Sequence, residues 1–317
     1  MDSPTNETAA RPIVGVVGLG TMGFSIAACL LMHGYPTIAL ATNEDEARTA
    51  PERLRIYLRE LECEENIRLL QMSTDYAALA DCEIVTESVM EDLQIKREVI
   101  AHIENAVSPQ ALIASNTSGL PISQLQENAI HPERILGMHW ALPAPQSKLM
   151  EVICGDHTSA ACAERALQFA RCWKKDAALI RKDVPGLVSN RIMYAMIREA
   201  CHLVESGAVT AADVDTILRH DMGTWVGFGG IFRFMDLTGG KLYATVMESL
   251  LPHLSNAREL PAMMRNLQQE DAQGTANGHG FFDYTPETAR EWDEDYLHFA
   301  AEAAALTEKY FSRKKGH

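Results

Sequence analysis

The stretch IVGVVGLGTMGFSIAACLLMHGY, residues 13–35, limits the fold more than any other. A β-branched run, Ile13 to Val17, reads as a buried strand. Gly18, Gly20 and Gly23 then make a GxGxxG turn, and an Ala- and Leu-rich helix closes near His33-Gly34. Each glycine has its own reason. Gly18 permits the tight turn, Gly20 lets backbone approach a pyrophosphate, and Gly23 lets helix and strand pack closely. The first N–H groups of such a helix lack intrahelical partners and carry partial positive charge. Leu19, Thr21 and Met22 therefore join the glycines as candidate cofactor-binding residues. TIALAT, 37–42, reads as a second strand, which completes a βαβ unit. A glycine turn without a ligand is the rival reading, and its place between strand and helix weighs against it.

The pattern repeats downstream. Residues 44–72 are charged and helical in pattern. EIVTES (83–88) and ALIASN (111–116) read as strands around a helix at 92–106, and RILGMHW (134–140) and KLMEVICG (148–155) as two short strands. A helix at 159–174 and a strand at 176–182 follow. Alternating strands and helices predict an α/β, doubly wound and mostly parallel sheet of Rossmann type over residues 11–184. After Pro185-Gly186 the texture changes. NRIMYAMIREACHLVESG and TAADVDTILRHDMG have helical periodicity, and little strand signal remains. An all-α C-terminal domain is expected over 185–317.

Charge and composition exclude several classes. The net charge of −15 argues against a nucleic-acid partner, and no apolar run is long enough to span a membrane. The opening MDSPTNETAARP lacks the marks of a signal peptide and reads as a short disordered leader. Seven irregularly spaced cysteines without a CxxC pair fit reduced thiols in the cytoplasm. With no helical histidine pair, no metal is expected.

GMHWALPAPQSKLMEV, 137–152, holds His139 and, twelve positions on, Glu151. By spacing alone a satisfied core histidine is the simpler reading. A histidine oriented by a carboxylate is the chemical alternative, because imidazole titrates near neutral pH and suits proton transfer in both directions. Thr42 raises a second question. It stands where a second strand commonly ends in the acid that holds the adenine ribose of NAD. No arginine follows at once, and Glu44, Asp45 and Glu46 would repel a 2′-phosphate. NAD is expected as cofactor, with NADP a second possibility.

Taken in order, GLGTMG, TESVMEDLQIK, SNTSGLPI, GMHW…KLMEV, KDVPGLVSNR and GHGFFDY resemble the 3-hydroxyacyl-CoA dehydrogenase superfamily from residue 12 to about 285. The resemblance implies a Rossmann domain, a helical domain that commonly dimerises, and NAD(P)-linked oxidation of a secondary alcohol to a ketone. It implies a general base at His139, oriented by Glu151. It implies Ser118 beside the reacting hydroxyl and Asn190 at the substrate oxygen. Glu91, Lys96 and Asn116 match positions lining the nicotinamide half of the cofactor. The bland alternatives are a cap or loop hydrogen bond for Ser118 and Asn190, and a solvated helix-face pair for Glu91 and Lys96.

Three departures point to a branch. HWALP replaces the HFFNP of the acyl-CoA enzymes, so Leu142 stands in place of an asparagine. The segment 43–73 contains no lysine, though it holds Arg48, Arg53, Arg55, Arg59 and Arg68. Thr42 is the third. In HW, KDVPGLVSNR and LYATVMESLLPHLSN the chain looks more like the branch acting on small free acids, which includes carnitine dehydrogenase, gulonate 3-dehydrogenase and a pyridine-carboxylate dehydrogenase. The expected function is a dehydrogenase of a small β-hydroxy acid, acting as a cytoplasmic homodimer. A 3-hydroxyacyl-CoA dehydrogenase is the alternative, and a noncatalytic, crystallin-like relative a third. The aromatics Trp225, Phe228, Phe232 and Phe234 read more readily as packing than as a pocket wall.

Overall fold

Four buried residues, Val14–Val17 (β1), start the sheet, and the glycine turn feeds α1, Thr21–Met32. A computed structural model describes residues 11–311; most of the expected leader lies outside them. The chain continues through β2 (Thr37–Leu40), α2 (Glu44–Glu60), β3 (Leu70–Ser73), β4 (Ile84–Glu87), α3 (Leu93–Ala106) and β5 (Leu112–Ser115). A short α4 (Ile122–Leu125) leads to β6 (Ile135–Trp140), β7 (Leu149–Cys154), α5 (Ala160–Cys172) and β8 (Asp176–Ile180).

The eight strands form one sheet in the order β3-β2-β1-β4-β5-β6-β7-β8. All neighbours through β6 are parallel, β6 and β7 are antiparallel, and β7 and β8 are parallel. The order reverses at β1, with β2 on one side and β4 on the other. That is the switch point at which an open α/β sheet leaves a crevice at its carboxyl ends. Strand residues alternate between two cores. Val14, Val16, Leu112 and Met138 pack with Ile26 and Leu30 of α1, Leu54 of α2 and Phe169 of α5. Val17, Val85, Ile113 and Ile135 pack on the other face with Ile100 and Ile103 of α3 and Ile122 of α4. Burial on both faces explains why these strands read as near-continuous apolar runs.

The helical pattern expected over 44–72 is corrected at its end. α2 stops at Glu60, a 3₁₀ segment spans Glu64–Leu69, and Leu70–Ser73 pairs with β2 as the edge strand β3. Its half-exposed sequence LQMS alternates over only four residues and has no β-branched or aromatic side chain, so it is a weak strand signal. β2 ends at Leu40, so Thr42 lies beyond the strand and Asn43 caps α2.

A second compact unit begins at Ser189. It is helical: α6 (Val188–Glu205), α7 (Ala211–Ile217), α8 (Gly223–Thr238), α9 (Gly240–Leu250), α10 (Ala262–Gln269) and α11 (Pro286–Phe311). A π-turn at Leu218–Met222 joins α7 to α8. Among the described residues of this unit, only Cys201 and Ala289 are buried. Trp225 stacks on Phe234 with ring centroids 4.7 Å apart, while Phe232 is 81% exposed.

Candidate active site

Cofactor geometry begins at the glycine turn. Gly18 has φ +89°, and a β-carbon there would lie 2.9 Å from the Ser88 carbonyl oxygen. One on Gly23 would lie 1.8 Å from the Gly18 oxygen, so the helix can approach the turn only without a side chain. Gly20 differs: a β-carbon there would meet no protein atom within 4 Å. Packing within the protein does not require glycine at Gly20, whereas a diphosphate lying on the turn would. Gly20 is also the N-cap of α1, with no side-chain cap and no acid in the first turn. The N–H groups at the start of α1 thus face open space without a competing negative charge. Leu19, Thr21 and Met22 carry the turn into this helix. These residues fit an NAD diphosphate.

At the neighbouring strand ends, carboxylates organise the loops. Glu87 closes β4 with a fully buried side chain. Its Oε1 accepts from Lys96 Nζ at 2.7 Å and from Val89 N–H at 2.8 Å; its Oε2 accepts from Ser115 Oγ at 2.7 Å. Lys96, on α3, is 1% exposed and also lies 3.4 Å from Glu91 Oε2. The solvated pair on a helix face is therefore not what the fold builds: Lys96 is internal, and Glu91 precedes the Asp92 cap of α3. Glu91 Oε1 accepts from Thr117 Oγ1 at 2.5 Å, Ser118 N–H at 2.9 Å and Gly119 N–H at 3.0 Å. Partial burial alone would raise the Glu91 carboxyl pKa; Thr117, Lys96 and the two N–H groups outweigh it and hold the pKa below the ordinary value. Glu91 thus fixes the loop that carries Ser118.

The pair His139 and Glu151 lies one strand away. Ser115 of β5 is level with Gly137 of β6, which places the 116–119 loop alongside His139. Asn116 is buried. Its Oδ1 accepts the Trp140 N–H at 2.9 Å, and its Nδ2 donates to Ser88 Oγ at 3.2 Å, tying the ends of β4, β5 and β6 together. His139 and Glu151 are direct cross-strand partners in the antiparallel β6–β7 pair. Their side chains project from one face, and His139 Nδ1 lies 2.8 Å from Glu151 Oε2. Side-chain exposures of 17% and 4% make this a mostly desolvated contact. A protonated Nδ1 donating to Glu151 leaves the Nε2 lone pair for an incoming proton.

Asn190 belongs to the helical unit, in the first turn of α6. Thr42 follows β2, and its N–H donates to Glu46 Oε2 at 2.6 Å. Sequence reasoning did not place Glu87 at a site, and gave Glu46 only a charge that would repel a 2′-phosphate. Glu87 was hidden inside a strand, but Glu46, three residues after the Asn43 cap, has the spacing of a capping box. Among the described residues no cluster of three His, Cys, Asp or Glu side chains could hold a metal, and no helix is long and apolar enough to cross a membrane.

Residues 13–184 match the family model "3-hydroxyacyl-CoA dehydrogenase, NAD binding domain", and residues 186–284 match its C-terminal domain. The chain belongs to the 3-hydroxyacyl-CoA dehydrogenase family. It is an NAD-dependent oxidoreductase of that family. The chain is similar to a 5-formyl-3-hydroxy-2-methylpyridine 4-carboxylate 5-dehydrogenase of Mesorhizobium japonicum, with 32% identity covering 87% of this chain and 92% of that one. Its similarity to an L-carnitine dehydrogenase of Streptomyces coelicolor is 33% identity over 76% of each chain. A crystal structure of an NAD+-dependent pyridine-carboxylic acid dehydrogenase of the first kind superposes with a TM-score of 0.83. Its identity is 29%, covering 95% of this chain and 98% of that one.

Proposed function

We propose that this protein interconverts a secondary alcohol and a ketone on a small hydroxy acid, with His139 and Glu151 as its proton-transfer dyad. The observation that carries the reading is the 2.8 Å contact between His139 and Glu151, held by strand pairing at the carboxyl end of the sheet. NAD, when bound, accepts or returns the hydride. His139 takes the hydroxyl proton through Nε2 in oxidation and gives it back in reduction. Glu151 keeps the other nitrogen protonated and stabilises the imidazolium. The Ser118 hydroxyl hydrogen-bonds the reacting oxygen. Asn190 keeps, as part of this proposal, the role that the resemblance implies for it. Thr42 and the glycine turn serve the adenine side of the cofactor, and Glu91 lines its nicotinamide side. Lys96 and Asn116 act behind that surface, through Glu91 and Trp140.

Three features favour a small acid over an acyl-CoA. Binding CoA phosphates needs convergent cations, yet Arg48, Arg55 and Arg59 are each matched with a carboxylate, at 2.5, 2.9 and 2.7 Å. A fourth, Arg53, sits over the Phe24 ring at 4.9 Å. Leu142, half exposed beside the dyad strand, offers no hydrogen bond. Relatives named for a pyridine carboxylate and for L-carnitine point the same way. Steady-state kinetics with NADH, comparing acetoacetyl-CoA with a panel of small keto acids, test the reading. Acetoacetyl-CoA as the better substrate by kcat/KM would establish the acyl-CoA alternative. NADH binding without turnover of any of them would establish the noncatalytic one.

A homodimer through the helical domain is part of the proposal. A helical unit with so few buried residues exposes Tyr194, Phe232, Trp292, Tyr296 and Phe299, and a second copy would cover such apolar surface. Sedimentation equilibrium reads the outcome: a monomer at micromolar concentration refutes it.

A further inference from the structure

We infer that Glu46 is the residue that holds the adenine ribose and excludes a 2′-phosphate, in place of an acid at the end of the second strand. Neither Ala41 nor Thr42, which follow β2, is acidic. Glu46 stands in the first turn of α2 but folds back, so that its Oε2 accepts the Thr42 N–H at 2.6 Å. Its own N–H donates to Asn43 Oδ1 at 2.9 Å. Asn43 holds the Glu46 backbone and the Thr42 N–H holds its side chain, which together set the carboxylate just beyond the carboxyl end of β2. The glycine turn meets the same point, because the Gly18 N–H donates to the Leu40 oxygen at 3.3 Å. A strand-end acid would place its charge in this position. With Oε2 engaged, Oε1 retains lone pairs that can accept ribose hydroxyls.

A 2′-phosphate would find the reverse of a binding site. The start of α2 would attract a phosphate through its free N–H groups, but Asn43 engages the Glu46 N–H, and the Glu46 carboxylate the Thr42 N–H just before the helix. Glu44 and Asp45 add negative charge in the same turn, and the Arg48 guanidinium lies against Asp45 at 2.5 Å.

Fluorescence titration of the full-length protein with NADH, NADPH and 2′-deoxy-NADH tests the assignment, and it reads binding alone, whatever the substrate panel shows. Glu46→Gln keeps an oxygen for the Thr42 N–H, so it removes the charge and leaves the cap. The variant is expected to weaken NADH binding by about tenfold, the worth of one charge-assisted hydrogen bond, while NADPH binding holds or improves. Adding Thr42→Asp to that variant is expected to restore the preference for NADH. Equal weakening of both cofactors, or an unchanged ratio, overturns the proposal. The wild-type protein gives a readout that needs no variant: removing the 2′-hydroxyl is expected to cost about tenfold in affinity, and equal affinity for NADH and 2′-deoxy-NADH refutes the role.

Discussion

Replacing Glu151 by glutamine changes one charge at nearly constant shape, in a place where solvent screens little. Its Oε2 lies 2.8 Å from His139 Nδ1, and its side chain is 4% exposed. When His139 takes a proton, two unit charges with centres about 4 Å apart attract by about 4 kcal/mol at an effective dielectric of about 20. Glutamine keeps a neutral hydrogen bond worth about 1 kcal/mol. The variant therefore loses roughly 2–3 kcal/mol of stabilisation once the partial exposure of His139 is allowed for, or about 30- to 150-fold in kcat. Glutamine can also turn its amide nitrogen towards Nδ1, which leaves the proton on Nε2 and removes the base; this adds to the loss. The assay is alcohol oxidation at saturating NAD and substrate, alongside a fluorescence titration with NADH. The expected result is a large fall in kcat with cofactor affinity within about twofold of wild type, since Glu151 is assigned no part in uniform binding. A kcat within about threefold of wild type would refute the dyad.

Gly20→Ala is expected to weaken NADH binding at least tenfold while costing the apoprotein less than about 1 kcal/mol, because φ is −60° there and no protein atom lies within 4 Å of the added carbon; equal NADH affinity in a titration would refute the diphosphate site. Lys96→Met should destabilise the fold by about 3–5 kcal/mol in urea, because it leaves the buried Glu87 carboxylate without its cation; adding Glu87→Gln should recover part of the loss. A Lys96→Met variant as stable as wild type would show that the pair is not needed. Burial, helped by the charges of Lys175, Lys174, Lys148 and Arg11, pushes His33 down from 6.5 to about 4. Its neutral form is favoured in the folded state, so its stabilisation is complete above pH 6.5 and is lost as pH falls from there through about 4. Urea midpoints across this range should fall less in His33→Asn than in wild type, and parallel curves would exclude a role for His33 in acid stability.

Much of the sheet was legible because it is doubly buried. VGVV, TIAL, IVTE and LIAS are strong strand signals and sit at the centre. LQMS at the edge is not, because one side of an edge strand needs no apolar residues. The glycine turn was readable to the residue, since sterics at Gly18 and Gly23 leave no other choice. Contacts that depend on burial were less readable. Lys96 in LQIKREVI looks like any solvated lysine, and only the register of β4 against α3 shows that its ammonium ends inside the protein beside Glu87. Glu46 illustrates the opposite case, with a local spacing that carried the signal and a function that depends on where β2 stops. His139 and Glu151 are twelve residues apart in the chain yet opposite one another in the sheet, a relation that periodicity within either strand does not express.

The antiparallel pairing of β6 with β7 has a consequence for redesign. The histidine and its carboxylate are spaced by the backbone ladder, so the connection 141–148 between their strands has no share in setting their distance. That connection is moored at two points, where the Ala144 N–H donates to Ser25 Oγ at 2.8 Å and the Ser147 oxygen accepts from Lys175 Nζ at 2.6 Å. Leu142, ahead of the first mooring, and Gln146, between the two, are exposed. Exchanging them is expected to leave the His139–Glu151 spacing as the sheet built it.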